Sequence, residues 1–222
     1  MKNLIISPHL DDEVLGCGGV ILKKLSQGEE VMVCFVANRV YQHKLDIDLY
    51  EKEKRCALKT KEILGYQHHY FLSLPDECLD QNLQNVIIGL EEVIDNFNPN
   101  SVYVPFYGDN NQDHRAVYEA ARVALRPAAR PNVNEVYLYE VPSSTEQSPQ
   151  TIKDVFMPNT YEEIGDYLEI KLKGFKAYET ESRVFPHPRS LEAIKNLAMR
   201  RGIESNLNYA EAFMAIRLRN KL

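Results

Sequence analysis

Apolar residues along the chain fall into short continuous runs that alternate with longer stretches of helical spacing. Residues 4–7 read as a short buried strand, and 12–26 then carry Val14, Leu15, Val20, Ile21, Leu22 and Leu25 at helical spacing. Gly28 closes that helix, 31–37 is an almost wholly apolar strand, and 49–64 is a charged amphipathic helix stopped by Gly65. The rhythm continues through a strand at 69–74, a helix at 83–97 ended by Asn98 and Pro99, a strand at 101–106, a helix at 115–125 and a strand at 135–141. Strands that are apolar on both faces and alternate with helices call for a parallel sheet covered on both sides. The pattern predicts an α/β, Rossmann-like, mostly parallel sheet with helices on both faces, and right-handed crossovers predict the strand order 3-2-1-4-5.

After Val141 the alternation stops. Residues 142–149 are a Ser, Thr, Gln and Pro loop, 166–179 a helix, 185–189 a Pro-flanked turn and 190–201 a helix stopped by Gly202. Neither a repeat nor a composition shift marks a second domain. The chain therefore reads as one domain over 1–222, with a core at 1–141 and a helical extension at 142–222 that walls the site.

Composition narrows the function classes. The 222 residues are 44% hydrophobic and 26% charged, a globular mix that argues against a disordered or fibrous chain. A net charge of −6 offers no general attraction to phosphate backbones, so nucleic acid is not an expected partner. The longest apolar run, 31–37, falls far short of the ~20 residues that span a bilayer. The N-terminal segment has no leader pattern, and the expected location is cytoplasmic. Cys17, Cys34, Cys56 and Cys78 form no CxxC pair and read as free thiols. Oligomeric state is not fixed by these features, and a homo-oligomer stays open.

In the predicted topology the chain reverses direction between the first and fourth strands, and ligands bind at such a point. The loop leaving the first strand holds Pro8, His9, Leu10, Asp11, Asp12 and Glu13; that leaving the fourth holds Asp109 through His114. A nucleotide site would need a glycine-rich turn here, whereas this turn is acidic, and Gly16, Gly18 and Gly19 come only later, inside the helix. Two imidazoles and a carboxylate meeting at adjacent strand ends suit a catalytic zinc, which acidifies bound water to a pKa of ~7 and polarises a carbonyl. Iron(II) accepts the same donors. Helix capping would account for Asp11 or Asp12 taken alone, but capping needs one acid and no imidazoles.

Pro8-His9-Leu10-Asp11-Asp12-Glu13 resembles the first signature of the LmbE-like (PIG-L) zinc de-N-acetylases, and Asp113-His114 resembles their second. Further similarity lies in Gly16-Cys17-Gly18-Gly19, Tyr178, Pro186 to Ser190 and Ala210 to Phe213. The resemblance implies that His9, Asp12 and His114 hold zinc and that Asp11 is the general base. It also implies a metal-dependent hydrolase that removes an N-acetyl group from an N-acetylglucosamine-type sugar or glycoconjugate, giving acetate and a free amine. Two other readings stay open: an amidase or esterase acting on another small conjugate, and a sugar-binding module without turnover. One position departs from the family pattern. Asn111 stands where many members carry a His that assists the oxyanion or leaving group; Asn can donate a hydrogen bond but cannot titrate. His187 is the candidate replacement for that role, with a surface loop histidine between Pro186 and Pro188 as the alternative, and Arg39 and Arg189 are the expected substrate-binding residues, with a solvated arginine as the alternative for each. Glu13 reads as a residue of the first helical turn, with orientation of His9 as a second reading. His68 and His69 sit at the opposite edge of the sheet and read as structural or surface residues.

Overall fold

A computed structural model of the chain describes residues 1–41 and 43–220. Strand β1 (Lys2–Ser7) leads into α1 (Asp12–Ser26), then β2 (Glu30–Ala37), a small ribbon of β3 (Val40–Tyr41) and β4 (Lys44–Leu45), and α2 (Ile47–Leu64). The chain continues through β5 (His68–Leu74), α3 (Leu83–Phe97), β6 (Ser101–Pro105), α4 (Gln112–Ala124) and β7 (Glu135–Tyr139). The last segment holds β8 (Thr160–Glu163), α5 (Leu168–Lys176), α6 (Leu191–Ser205) and β9 (Ala210–Leu218).

The main sheet runs β5-β2-β1-β6-β7-β9-β8. Its first five members are parallel and follow the order expected from sequence. Both faces are covered, as the apolar runs require: Ile5, Val31, Val33 and Phe35 pack with α1, α2 and α5, whereas Leu4, Ile6, Cys34 and Val36 pack with α3 and α4. Successive residues of a strand point to opposite faces, so each apolar strand feeds both layers.

Three expectations are corrected. The extension is not purely helical, because β9 pairs antiparallel with both β7 and β8. Helix α4 begins three residues before 115, because the Asn111 side chain accepts the N–H of Asp113 and caps it. Asp113 and His114 thus lie in a first helical turn and not in the loop. Gly202 does not stop α6, which runs on to Ser205 and ends at Asn206 in the left-handed region (φ 57°). A Cβ at Gly202 would meet the carbonyls of Leu207 and Asn208 at 2.7 Å, so this glycine serves close approach.

Close approach also explains the glycines of α1. A Cβ at Gly19 would stand 2.5 Å from Ile164, and one at Gly16 would collide with the Tyr139 ring. Beside them lies a buried ion pair. Lys171 Nζ is 2.7 Å from Glu211 Oε1 and also donates to the Leu15 carbonyl, while Glu211 accepts the N–H groups of Gly19 and Val20. The pair fastens α5 and β9 to the middle of α1, the helix that carries Asp12. Lys171→Met should cost about 3–5 kcal/mol in urea unfolding, since Glu211 would be left charged and unpaired in the interior; a loss below about 1 kcal/mol would contradict this.

Candidate metal centre and active site

The switch point lies between β1 and β6, which pair in parallel, with β2 on the other side of β1. The turn after β1 delivers His9, Asp11 and Asp12, and the start of α4 delivers His114. Asp11 occupies the N-cap position of α1, yet its side chain makes no capping hydrogen bond. That acid is free for other work. Asp12 Oδ2 reaches back to the N–H of His9 at 2.8 Å, which ties the turn to the helix.

Three side-chain atoms converge from these elements. His9 Nδ1, Asp12 Oδ2 and His114 Nε2 are each 3.2 Å from the other two. A tetrahedral ion with bonds of about 2.0–2.1 Å places its ligand atoms roughly 3.3 Å apart, so the triangle has the size of one face of such a centre. The second oxygen of Asp12 is buried and has no hydrogen-bond partner among the described residues, which leaves this carboxylate with both imidazoles but no neutralising hydrogen bond on that side. The donor set of two imidazoles and one carboxylate fits zinc or iron(II).

Each imidazole is backed by carboxylates on its far side. His9 Nε2 lies 3.2 Å from Asp76 Oδ1 and 3.4 Å from Asp113 Oδ2. A second grouping of possible ligands is therefore His9, Asp76 and Asp113. Its acids are already engaged: Asp113 accepts the N–H groups of Glu77 and Leu79, and Asp76 accepts those of Val40 and Glu77. They suit the role of orienting His9, with its Nε2 proton held and Nδ1 turned to Asp12 and His114. Asp109 Oδ2 stands 3.3 Å from His114 Nδ1, and Asp109 is itself held by the hydroxyls of Ser144 and Thr145. The loop at 142–149 thus braces this histidine through Asp109.

The local field separates the two adjacent acids. Burial opposes ionisation of Asp12, but His114 and His9 outweigh it and hold this carboxyl well below the usual range. Burial pushes Asp11 up to about 6, against the pull of Arg189, with Asp12 and Glu181 adding to the rise. A carboxyl so placed can both take and return a proton near neutral pH, whereas Asp12 stays an anion.

Of the remaining expected residues, Asn111, Arg39 and Arg189 line a cavity of about 370 Å³ together with His9, Asp11 and Asp76. Arg189 Nη1 is 3.1 Å from Asp11 Oδ2, and Arg39 Nη2 donates to Glu181 at 2.9 Å. Asn111 spends its Oδ1 on the α4 cap. His187 is exposed, accepts the N–H of Arg189 at Nδ1, and does not line the cavity. Glu13 does not touch His9; it accepts the Tyr178 hydroxyl at 2.7 Å, and burial pushes it up to about 8. His68 and His69 are exposed at the start of β5. The cysteines are free thiols.

Sequence reasoning missed Asp76, Glu181 and the bracing part of Asp109. Asp76 could have been found by asking what leaves β5 at the carboxyl edge. Glu181 carries no such signal, being brought in by the extension.

A family model described as GlcNAc-PI de-N-acetylase (PIG-L) matches residues 4–125, more than half of the chain. The protein belongs to the PIG-L de-N-acetylase family. This PIG-L protein is 31% identical over 185 residues to the uncharacterized deacetylase YaiS of Escherichia coli K12, covering 80% of this chain and 90% of that one. It is 28% identical over 193 residues to the diacetylchitobiose deacetylase of Thermococcus kodakarensis, covering 81% and 70%. In fold it is similar to the N,N'-diacetylchitobiose deacetylase of Pyrococcus horikoshii, with a TM-score of 0.76, 21% identity and coverage of 97% and 84%. No helix among the described residues of this PIG-L protein is long and apolar enough to cross a membrane.

Proposed function

We propose that this PIG-L protein is a divalent-metal-dependent N-deacetylase that hydrolyses the acetamide of an N-acetylglucosamine-type sugar or glycoconjugate, giving acetate and a free amine. The observation that carries the proposal is the triangle of His9 Nδ1, Asp12 Oδ2 and His114 Nε2 with an uncapped, buried Asp11 beside it. When bound there, zinc or iron(II) supplies Lewis-acid polarisation of the acetamide carbonyl.

The chain's own residues do the rest. Asp11 takes a proton from the attacking water as its oxygen bonds to the carbonyl carbon, and returns it to the nitrogen as the carbon–nitrogen bond breaks. Arg189 holds the Asp11 carboxylate through Oδ2, and both residues line the cavity. Asn111 presents its Nδ2 as a fixed donor to the substrate and contributes no proton. With His187 outside the cavity, proton delivery to the leaving amine rests with Asp11. The cavity lining is polar or charged apart from Val40, which suits a ligand rich in hydroxyl groups, and Arg39 offers its guanidinium edge to one of them.

Free-amine release from N-acetyl sugars, nucleotide sugars, simple amides and esters tests the reading. Chelator treatment should abolish release and added zinc should restore it. Release that survives complete removal of metal, or a preference for simple amides or esters over every N-acetyl sugar, would overturn it.

A further inference from the structure

The side chains behind Asp11 alternate in charge across four separate parts of the chain. Arg189, in the turn before α6, pairs with Asp11 at 3.1 Å and with Glu181 Oε2, and its Nε donates to Ser143 Oγ at 2.7 Å. Glu181 gives its other oxygen to Arg39, which follows β2, at 2.9 Å. Arg39 turns its Nε to Glu53 of α2 at 3.5 Å, and Thr180 donates to that same glutamate at 3.1 Å. Glu181 is buried, at 6% exposure, and among the described residues it is the one anion that bridges the two arginines.

Without Glu181, two guanidinium groups would face each other in the cavity wall. Arg39 would keep Glu53, so Arg189 would have Asp11 as its remaining charged partner among the described residues. We infer that Glu181 is a positioning residue: by sharing Arg189 with Asp11, it fixes where that guanidinium stands and so holds the Asp11 carboxylate in its working orientation. It belongs neither to the ligand triangle nor to the cavity lining, and its contact with the Asp11 carboxylate is made by way of Arg189. The inference rests on the deacetylase reading and on Asp11 as its base, and adds a residue of the extension to the catalytic apparatus.

A double-mutant cycle between Glu181→Gln and Asp11→Asn tests it, with turnover, bound metal and thermal midpoint measured for each protein. In the wild-type background Glu181→Gln should lower kcat about 10- to 100-fold, the range typical of removing an outer partner of a site group, with bound metal unchanged. In the Asp11→Asn background it should cost nothing further. Glu181→Asp keeps the charge on a shorter arm and should recover part of kcat; it carries the same comparison should the Gln variant not fold. An unchanged kcat, an equal loss in both backgrounds, or a loss that tracks missing metal would overturn the inference. Absence of amine release by the wild type would overturn the deacetylase reading instead, and this inference with it.

Discussion

Asp11→Asn is expected to lower amine release by about 10²- to 10⁴-fold, the usual worth of a general base, while bound metal stays at the wild-type level. The separation of the two effects follows from geometry. Asp11 lies outside the triangle of converging ligand atoms and is paired with Arg189, whereas Asp12, one residue later, touches both imidazoles. Asn keeps the shape and a hydrogen-bonding oxygen for Arg189 but cannot accept a proton at neutral pH. Metal content by mass spectrometry, measured beside turnover, decides the matter. Unchanged turnover would remove Asp11 as the base, and loss of metal together with turnover would make it a ligand.

His114→Ala is expected to do the opposite, lowering metal affinity by more than about 100-fold and taking turnover to background with it. An outer partner of a ligand is already worth 10- to 100-fold, and a ligand should exceed that. His114 is buried at 1% exposure between Asp12 and Asp109, so its removal also leaves two carboxylates facing a void. The variant should therefore unfold at a lower temperature than Asp11→Asn does. Retention of stoichiometric metal by His114→Ala would break the proposed ligand set, and would direct attention to the grouping of His9, Asp76 and Asp113.

Much of this site is legible before any coordinates because its residues are local. His9, Asp11 and Asp12 sit within one turn after an apolar strand, and Asp113 and His114 follow the fourth strand at the same sheet edge. Crossover handedness then brings the two stretches together. The start of α4 was not legible from apolar spacing, because its first turn, Gln112 to His114, is polar and is held by the Asn111 cap. Nor was β9: residues 212–216 form a short apolar run, but such a run does not by itself distinguish a strand from a buried helix segment, and only 210–213 are buried while the later positions are half-exposed or exposed.

By itself, the sequence determined the five-strand parallel core and the pairing of an acidic, histidine-bearing turn with a second histidine, since apolar periodicity and short-range spacing carry that information. Only the tertiary structure decided which acids back the imidazoles, that Glu13 serves Tyr178 and not His9, that His187 stays outside the cavity, and that Glu181 joins Arg39 to Arg189. The physical reason is one of range. Periodicity reports what a residue does within its own element, whereas the partner of a buried charge is set by which distant segments pack against it.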